Sequence, residues 1–255
     1  MKRIVVLAAV VGWSLFYSDL AFSQSSRELS ELKREIEALK AGQAAIQKDV
    51  TEIKNFILQR APAPPPEAQP VVSIDGGAIK GDKTAKVTLV EFTDYQCPFC
   101  SRHFRDTMPQ IDNDYVKTGK IRYVLREFPL EAIHPLAFKA AEAASCSGEQ
   151  GKYWEMHDRL FANQNALAAE QLAGHAEAVG LDAGKFKTCL ESGKYTAKVR
   201  KDLADAQKAG VTGTPTFFIG LTDSKGSEIK AVRKIVGAQN YAAFKDAIDS
   251  LLGGQ

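Results

Sequence analysis

The chain has 255 residues, of which 45% are hydrophobic and 25% charged, and its formal net charge at pH 7 is +2. These proportions are typical of globular proteins, and they exclude a collagen-like, a wholly disordered or a polytopic membrane chain. The nearly balanced charge gives no basic footprint, so no nucleic-acid partner is expected. Four cysteines are too few for a disulfide-rich scaffold.

The N-terminus has the three parts of a secretory signal peptide. Lys2 and Arg3 form a basic start, residues 4–17 form an apolar run, and residues 21–23 (AFS) provide small residues for cleavage. An uncleaved membrane anchor is the alternative, but a spanning helix needs roughly 20 apolar residues and this run is shorter. We therefore predict that the segment 1–23 is removed, which leaves a mature protein in the periplasm or another oxidising extracytoplasmic space.

Residues 24–60 carry a heptad repeat. The repeat places Leu29, Ile36, Gln43, Val50 and Ile57 at a, and Leu32, Leu39, Ile46 and Ile53 at d. A 3.6-residue stripe would drift around the helix over four heptads, so the strict period favours a coiled coil over a helix that packs on its own domain. Three of the four g–e pairs of a parallel coiled coil have opposite charges, namely Glu28–Lys33, Glu35–Lys40 and Asp49–Lys54. We expect a homo-oligomer, either a dimer or a trimer, because the apolar residues fit both.

A proline-rich linker is predicted over residues 61–72. Five of the ten prolines lie in the segment 61–70 (APAPPPEAQP). Proline fixes φ and lacks the backbone donor, so the helix must stop here and an extended, semi-rigid chain follows. The remaining residues, 73–255, are predicted to form a separate domain.

Strand and helix patterns alternate in the domain 73–255. Strands are predicted at 86–92, 121–128, 216–220 and 229–236, and helices at 98–117 and 240–252. Five further helices are predicted between the second and third strands, at 133–147, 150–162, 168–180, 183–192 and 196–209. This order indicates an α/β domain with a helical insertion over about 133–210.

The sequence Cys97-Pro98-Phe99-Cys100 follows a predicted buried strand and opens a helix. The nucleophile in thiol–disulfide exchange is the thiolate, and the partial positive charge at a helix N-terminus stabilises an anion there. Pro98 suits the first helical position because its missing N–H has no partner to lose. We therefore predict that Cys97 is the reactive thiolate and Cys100 the resolving thiol. Half of a zinc site is the alternative, but no second pair of ligands is evident, so no metal is expected.

Two segments resemble the DsbA-like thioredoxin-fold oxidoreductases. Residues 90–100 (VEFTDYQCPFC) resemble the active-site strand and helix of that family, and residues 211–218 (VTGTPTFF) resemble its cis-proline loop. Residues 150–158 (QGKYWEMHD) also look like a stretch of these proteins, and the likeness covers about 73–252. The resemblance implies a thioredoxin fold with a helical insertion. It also implies exchange between a Cys97–Cys100 disulfide and the thiols of proteins or peptides, with no further cofactor.

The resemblance assigns roles to single residues as well. Pro215 would be cis and would leave the Thr214 backbone free to pair with an extended substrate. Glu91, on the strand before the cysteines, would accept the proton of the resolving thiol through water; an outward-facing Glu91 is the alternative. Phe99 stands where the familiar DsbA dipeptide has histidine, so we expect Cys97 to be less acidic than in the strongest oxidants of the family.

The two remaining cysteines, Cys146 and Cys189, both lie in the helical block. Cysteines left over in an oxidising compartment usually pair, so a structural disulfide is expected, with two separate buried thiols as the alternative. His103 lies one turn beyond Cys100 and is expected to tune the local electric field.

Three functions are compatible with these features. The first is a secreted oxidase that passes disulfides to folding proteins and is reoxidised by a membrane partner of the DsbB, VKOR or DsbD type. The second is an oligomeric isomerase or reductase, which the coiled coil and Thr214 before Pro215 favour. The third, a non-catalytic coiled-coil binding or chaperone protein of the envelope, is disfavoured by the intact cysteine pair.

Overall fold

The computed structural model describes residues 27, 29–53, 70–223 and 226–253. The chain divides into two compact units between Pro66 and Glu67. The predicted signal peptide lies outside the described residues, as do the ends of the heptad segment and nearly all of the proline-rich linker. Within the described ranges, no helix is both long enough and apolar enough to cross a membrane.

The described part of the N-terminal unit is a helix, α1, over residues 29–53. Its apolar a and d side chains are exposed, from 42% at Ile36 to 73% at Leu39. Transfer of leucine and isoleucine side chains out of water lowers the free energy, so burial of this stripe would stabilise α1.

The second unit is built on a mixed sheet of six strands in the order β1-β6-β5-β3-β4-β2. The strands are β1 (Val71–Ser73), β2 (Ala78–Gly81), β3 (Val87–Thr93), β4 (Ile121–Glu127), β5 (Thr216–Thr222) and β6 (Glu228–Val236). The central strand β3 runs parallel to β4 and antiparallel to β5. All seven residues of β3 are buried, which explains why its sequence is almost continuously apolar and β-branched.

The edge strands β1 and β2 are absent from the sequence prediction. They have three and four residues, too few for an alternating pattern to be recognised, and they exist because they pair with β6 and β4. The backbone N–H of Ala231 also donates to the carbonyl of Pro70, at 3.0 Å. The folded unit therefore starts at about Val71, inside the segment predicted as linker.

Helices cover both faces of the sheet. Helices α2 (Pro98–Arg102) and α3 (Met108–Ile111), together with π-helical segments at His103–Thr107 and Asp112–Val116, form one uninterrupted stretch after β3. The C-terminal helix α9 (Tyr241–Leu252) shares an apolar core with this stretch and with the sheet.

The insertion between β4 and β5 consists of five helices. They are α4 (Ala137–Gly148), α5 (Tyr153–Ala162), α6 (Ala169–Ala178), α7 (Ala183–Glu191) and α8 (Thr196–Lys208). Helix α4 begins four residues later than predicted, because the residues before it form turns that contact the active-site segment. The core of the insertion includes Tyr95, Cys97 and Cys100, so these helices pack directly on the start of α2.

A disulfide links two helices within the insertion, and ion pairs link the insertion to the sheet. A disulfide joins Cys146 on α4 to Cys189 on α7, with the Cα atoms 5.9 Å apart. The fully buried Arg126 of β4 donates to two carboxylates on α8, Asp202 at 2.7 Å and Asp205 at 2.8 Å. Because a buried charge needs a partner, this pairing fixes α8 against the sheet.

Candidate active site

The turn between β3 and α2 is organised by the buried carboxylate of Asp94. Its Oδ1 accepts hydrogen bonds from the backbone N–H groups of Gln96, at 2.7 Å, and Cys97, at 3.1 Å. Its Oδ2 accepts from the N–H of Leu130, at 2.7 Å, and lies 2.8 Å from Nδ1 of His134. One side chain therefore holds the chain that enters α2 and the segment that precedes the insertion.

Two glutamine side chains complete this framework. Nε2 of Gln164, between α5 and α6, donates to the carbonyl oxygens of Tyr95 at 2.8 Å and Cys97 at 3.0 Å. Oε1 of Gln96 accepts from the N–H of Leu136, at 2.5 Å. The insertion thus supplies hydrogen bonds to the same backbone that carries the cysteines.

Cys97 occupies the N-cap of α2, with φ −69° and ψ 120°, and Pro98 is the first helical residue. Its thiol donates to the backbone carbonyl of Thr214, at 3.4 Å, and the Thr214–Pro215 peptide bond is cis. The hydrogen bond from the Cys100 thiol is the main cause that lowers the pKa of Cys97 to about 6. Backbone N–H groups at the helix start act in the same direction, whereas burial opposes them.

Cys100 lies one turn further along and is fully buried. Burial raises its pKa well above the usual value, and the hydrogen bond and negative charge of Cys97 raise it further. The two thiols are therefore electrostatically unequal: the surroundings favour the thiolate form of Cys97, whereas burial favours the protonated form of Cys100.

Glu91 lies on β3 beneath these cysteines and is 3% exposed, so the outward-facing alternative is wrong. Its Oε2 accepts a hydrogen bond from the hydroxyl of Tyr123, at 2.5 Å, and lies 3.6 Å from Nε2 of His103. Burial raises the pKa of Glu91 to about 7, although the Tyr123 hydroxyl acts in the opposite direction. A carboxyl group with this pKa can both accept and release a proton near neutral pH.

His103 is buried against the rings of Phe217 and Phe244, whose centroids lie 4.4 and 5.2 Å from its own. Burial lowers its pKa to about 3, so the imidazole is neutral. Neither ring nitrogen has a hydrogen-bond partner among the described residues. His103 therefore affects the local field as a neutral group and not as a cation.

A second buried acid, Glu127, is missing from the sequence analysis. It ends β4, and its Oε1 accepts from the hydroxyl of Tyr153 at 2.8 Å, which lies 3.5 Å from the hydroxyl of Tyr95. Burial raises the pKa of Glu127 to about 7. The signal that singled out Glu91, an acid between apolar neighbours, is absent here, because Glu127 follows Arg126 in a strand with two arginines.

The outer surface of the site is partly apolar. Pro98 and Phe99 are exposed, and the Phe99 ring is 53% accessible, with the Arg102 guanidinium 5.2 Å from its centroid. In the part of the chain that the structure describes, no group of three or more His, Cys, Asp or Glu side chains is arranged to hold a metal ion.

The thioredoxin family model matches residues 73–249, which are most of the chain. Similar solved structures include alpha-DsbA1 of Wolbachia pipientis, with 28% identity, a TM-score of 0.61, and coverage of 71% of this chain and 92% of that one. A thioredoxin-like oxidoreductase of Silicibacter pomeroyi is also 28% identical, with a TM-score of 0.58 and coverage of 69% and 92%. The chain therefore belongs to the thioredoxin family, and within it to the DsbA-like thiol–disulfide oxidoreductases, which confirms the predicted fold.

The curated relatives are much longer than this chain, so the match covers only a small part of each of them. The chain is 35% identical to the Na(+)/H(+) antiporter NhaA 1 of Salinispora arenicola over 183 residues, which are 72% of this chain and 26% of that protein. The chain thus spans about a quarter of the curated relatives it matches first. The shared segment has the size of a domain.

Proposed function

We propose that this chain donates disulfide bonds to cysteines of folding envelope or secreted proteins. The observation that carries the proposal is the position of the Cys97 thiol at the N-terminus of α2, where the Cys100 thiol and backbone N–H groups lower its pKa to about 6. A lowered pKa stabilises the reduced, thiolate form, and a couple whose reduced form is stabilised is an oxidant. A membrane redox partner of the DsbB, VKOR or DsbD type would then restore the disulfide.

Each residue of the site has a role in this cycle. The substrate thiolate attacks the Cys97 sulfur of the disulfide, and Cys100 leaves as a thiolate and takes up a proton. A second substrate thiolate then attacks the substrate sulfur of this mixed disulfide, which forms the substrate disulfide and releases Cys97 as a thiolate. During reoxidation Cys97 attacks the disulfide of the redox partner. Cys100 then loses its proton to Glu91 and attacks the Cys97 sulfur, which releases the partner sulfur as a thiolate. The Thr214 backbone, held by cis-Pro215, pairs with the extended substrate chain.

The surface residues of the motif have separate roles. Pro98 fixes the first turn of α2, and Phe99 offers an apolar contact to the substrate beside the reacting sulfur. Phenylalanine supplies no polar donor to the thiolate, so we expect a milder oxidant than those with histidine at this position.

The compartment of this reaction is extracytoplasmic in our proposal. The signal-peptide pattern of residues 1–23, with cleavage near Ser23, supports export. The Cys146–Cys189 disulfide supports it as well, because structural disulfides persist in oxidising compartments. We assign that bond a structural role as the clamp between α4 and α7.

We also propose that the segment 24–60 joins two or three copies of the chain, with the proline-rich segment 61–70 as the linker. The exposed apolar stripe of α1 supports this assembly. Light scattering on the full chain and on residues 61–255 tests it: the shorter form should be monomeric. Equal oligomeric masses would show that the helix does not assemble the chain.

The redox direction is tested by the reduction potential of the Cys97–Cys100 couple in glutathione buffers. A donor of disulfides should lie between about −120 and −200 mV, whereas a value near about −270 mV would make the protein a reductase. If the unmodified protein oxidises no model peptide, whatever the measured potential, the catalytic proposal is refuted.

An isomerase is the second candidate, and the exposed stripe of α1 is the observation that favours it. Oligomers raise the effective concentration of a second thiol pair near a bound substrate. Refolding of scrambled ribonuclease should then require the segment 24–60, and equal rates with and without it would exclude this link.

A further inference from the structure

The enclosure of Glu91 raises the question of where its proton goes. The titratable groups near Glu91 are Cys97 and Cys100 from the start of α2, Tyr95 from the preceding turn, His103 from the π-helical segment and Tyr123 from β4, whereas β5 places Phe217 beside it. Glu91 is 3% exposed, so a proton that it accepts needs a polar neighbour in order to leave.

His103 is a poor exit for this proton. Its ring lies between two phenylalanines, and neither nitrogen is hydrogen-bonded to a described residue. A proton passed to His103 would have no next acceptor. Tyr123 differs, because its hydroxyl donates to Glu91 at 2.5 Å and Tyr123 is among the residues that line a cavity of about 450 Å³.

This cavity, which we call the Tyr123 cavity, has walls of mixed character. Its charged and titratable lining residues other than Tyr123 are Lys80, Arg105, Asp112, Lys117, His157 and Asp158. Apolar walls come from Phe104, Met108 and Trp154. The volume and the polar lining suit ordered water, which needs both space and hydrogen-bond partners.

We propose that Tyr123 links Glu91 to the Tyr123 cavity, so that the proton released by Cys100 leaves through this cavity. The inference rests on the proposed thiol–disulfide exchange at Cys97 and Cys100. Tyr123 is a positioning residue, because it acts on the cysteines only through Glu91.

The proton balance of the step is simple. The Cys100 thiol gives its proton to the Glu91 carboxylate, and the Cys100 thiolate attacks the Cys97 sulfur, which expels the partner sulfur as a thiolate. The Tyr123 hydroxyl then releases its proton to water in the cavity as it accepts the proton of Glu91. The net transfer is one proton from Cys100 to water, and Tyr123 and Glu91 return to their starting states.

The test uses the reduced full-length protein and dithiobis(nitrobenzoate) in a stopped-flow instrument. The first nitrothiobenzoate is released when Cys97 attacks the reagent, and the second when Cys100 resolves the mixed disulfide. A pH indicator in weakly buffered solution records the proton in the same experiment. Tyr123→Phe removes only the hydroxyl, and Tyr115→Phe is the matched control, because Tyr115 is also buried and donates to Asp249 at 2.7 Å.

We expect the first phase to be unchanged in Tyr123→Phe and the second to slow about tenfold or more at neutral pH, within the range of general acid–base effects. The pH midpoint of the second phase should move upward, because the lost hydrogen bond favoured the ionised carboxyl. Proton release should lag behind the second phase in this variant, and Tyr115→Phe should behave like the unmodified protein.

Two results would overturn the inference while leaving the proposed function intact. One is an unchanged second phase and pH profile in Tyr123→Phe. The other is a lag of proton release in His103→Phe but not in Tyr123→Phe, which would assign the exit to His103. Failure of the unmodified protein to show a fast first phase would instead refute the proposed function.

Discussion

The two cysteine pairs of this chain show how the surroundings decide what a thiol does. Cys97 and Cys100 are separated by one helical turn and are present as thiols with opposite pKa shifts, and Cys97 also donates to the carbonyl of Thr214. Cys146 and Cys189 are separated by 43 residues, lie on two different helices, and are joined by a disulfide. Both pairs are buried, so burial alone does not make a cysteine reactive. The hydrogen bond from the Cys100 thiol and the backbone N–H groups at the helix start lower the pKa of Cys97, and the disulfide-bonded pair has no such surroundings.

Replacement of Cys97 should remove the difference in reactivity between the two cysteine pairs. Cys97→Ser should abolish oxidation and reduction of model peptides, because serine cannot form the mixed disulfide. Cys100→Ser should retain attack at Cys97 and accumulate mixed disulfides with substrates, which mass spectrometry detects. Full activity of Cys97→Ser in an insulin-reduction assay would refute the assignment of the nucleophile.

Removal of the Cys146–Cys189 disulfide should lower the stability of the protein and leave its thiol–disulfide exchange activity unchanged. The double variant Cys146→Ser/Cys189→Ser should lose about 2–4 kcal/mol of unfolding free energy, because the open chain gains entropy in the unfolded state. Urea denaturation measures this loss, and peptide oxidation should persist wherever the variant is folded. A loss of activity in the folded variant would show that the two pairs are coupled.

The turn that presents Cys97 can be tested at Asp94. An asparagine there keeps one acceptor oxygen and loses the other. Either the N–H groups of Gln96 and Cys97 or the N–H of Leu130 is then left without a partner. Asp94→Asn should cost about 1–3 kcal/mol of stability and slow alkylation of Cys97. Glu131→Gln, on the exposed ion pair with Arg200, is the control and should change neither quantity appreciably.

The two buried glutamates, Glu91 and Glu127, should both make the stability of the protein depend on pH. Their folded-state pKa values of about 7 lie above the ordinary value of 4.5, so the unfolded chain ionises first and stability falls as pH rises from about 4.5 through about 7. Glu91→Gln and Glu127→Gln should each recover up to about 3 kcal/mol at neutral pH, as measured by urea denaturation.

Only one of these two variants should change the chemistry. Glu91→Gln should slow resolution by Cys100, because no carboxylate remains to accept its proton. Glu127→Gln should leave that rate unchanged, since its contact is with Tyr153. Equal slowing in both variants would show that the effect of Glu91 is general electrostatics and not proton acceptance.

Local sequence signals predicted much of this structure. The apolar run of β3, the proline after Cys97 and the steps of the heptad repeat are all properties of neighbouring residues. The contacts of Asp94 with His134 and of Gln164 with Cys97 join residues 40 and 67 positions apart, so no local pattern reveals them. Tyr123 was hidden for the same reason, because only the pairing of β3 with β4 places its hydroxyl on Glu91.

The side-chain amide of Gln164 has a consequence for protein engineering. It donates to two backbone carbonyls at the start of the redox helix from a connection between α5 and α6. A transplant of the cysteine motif and its strand into a minimal scaffold would leave both carbonyls without this donor. A graft that aims to reproduce the reactivity of this protein must therefore carry the α5–α6 connection as well, and a small molecule that displaces that connection would act on the cysteines without touching them.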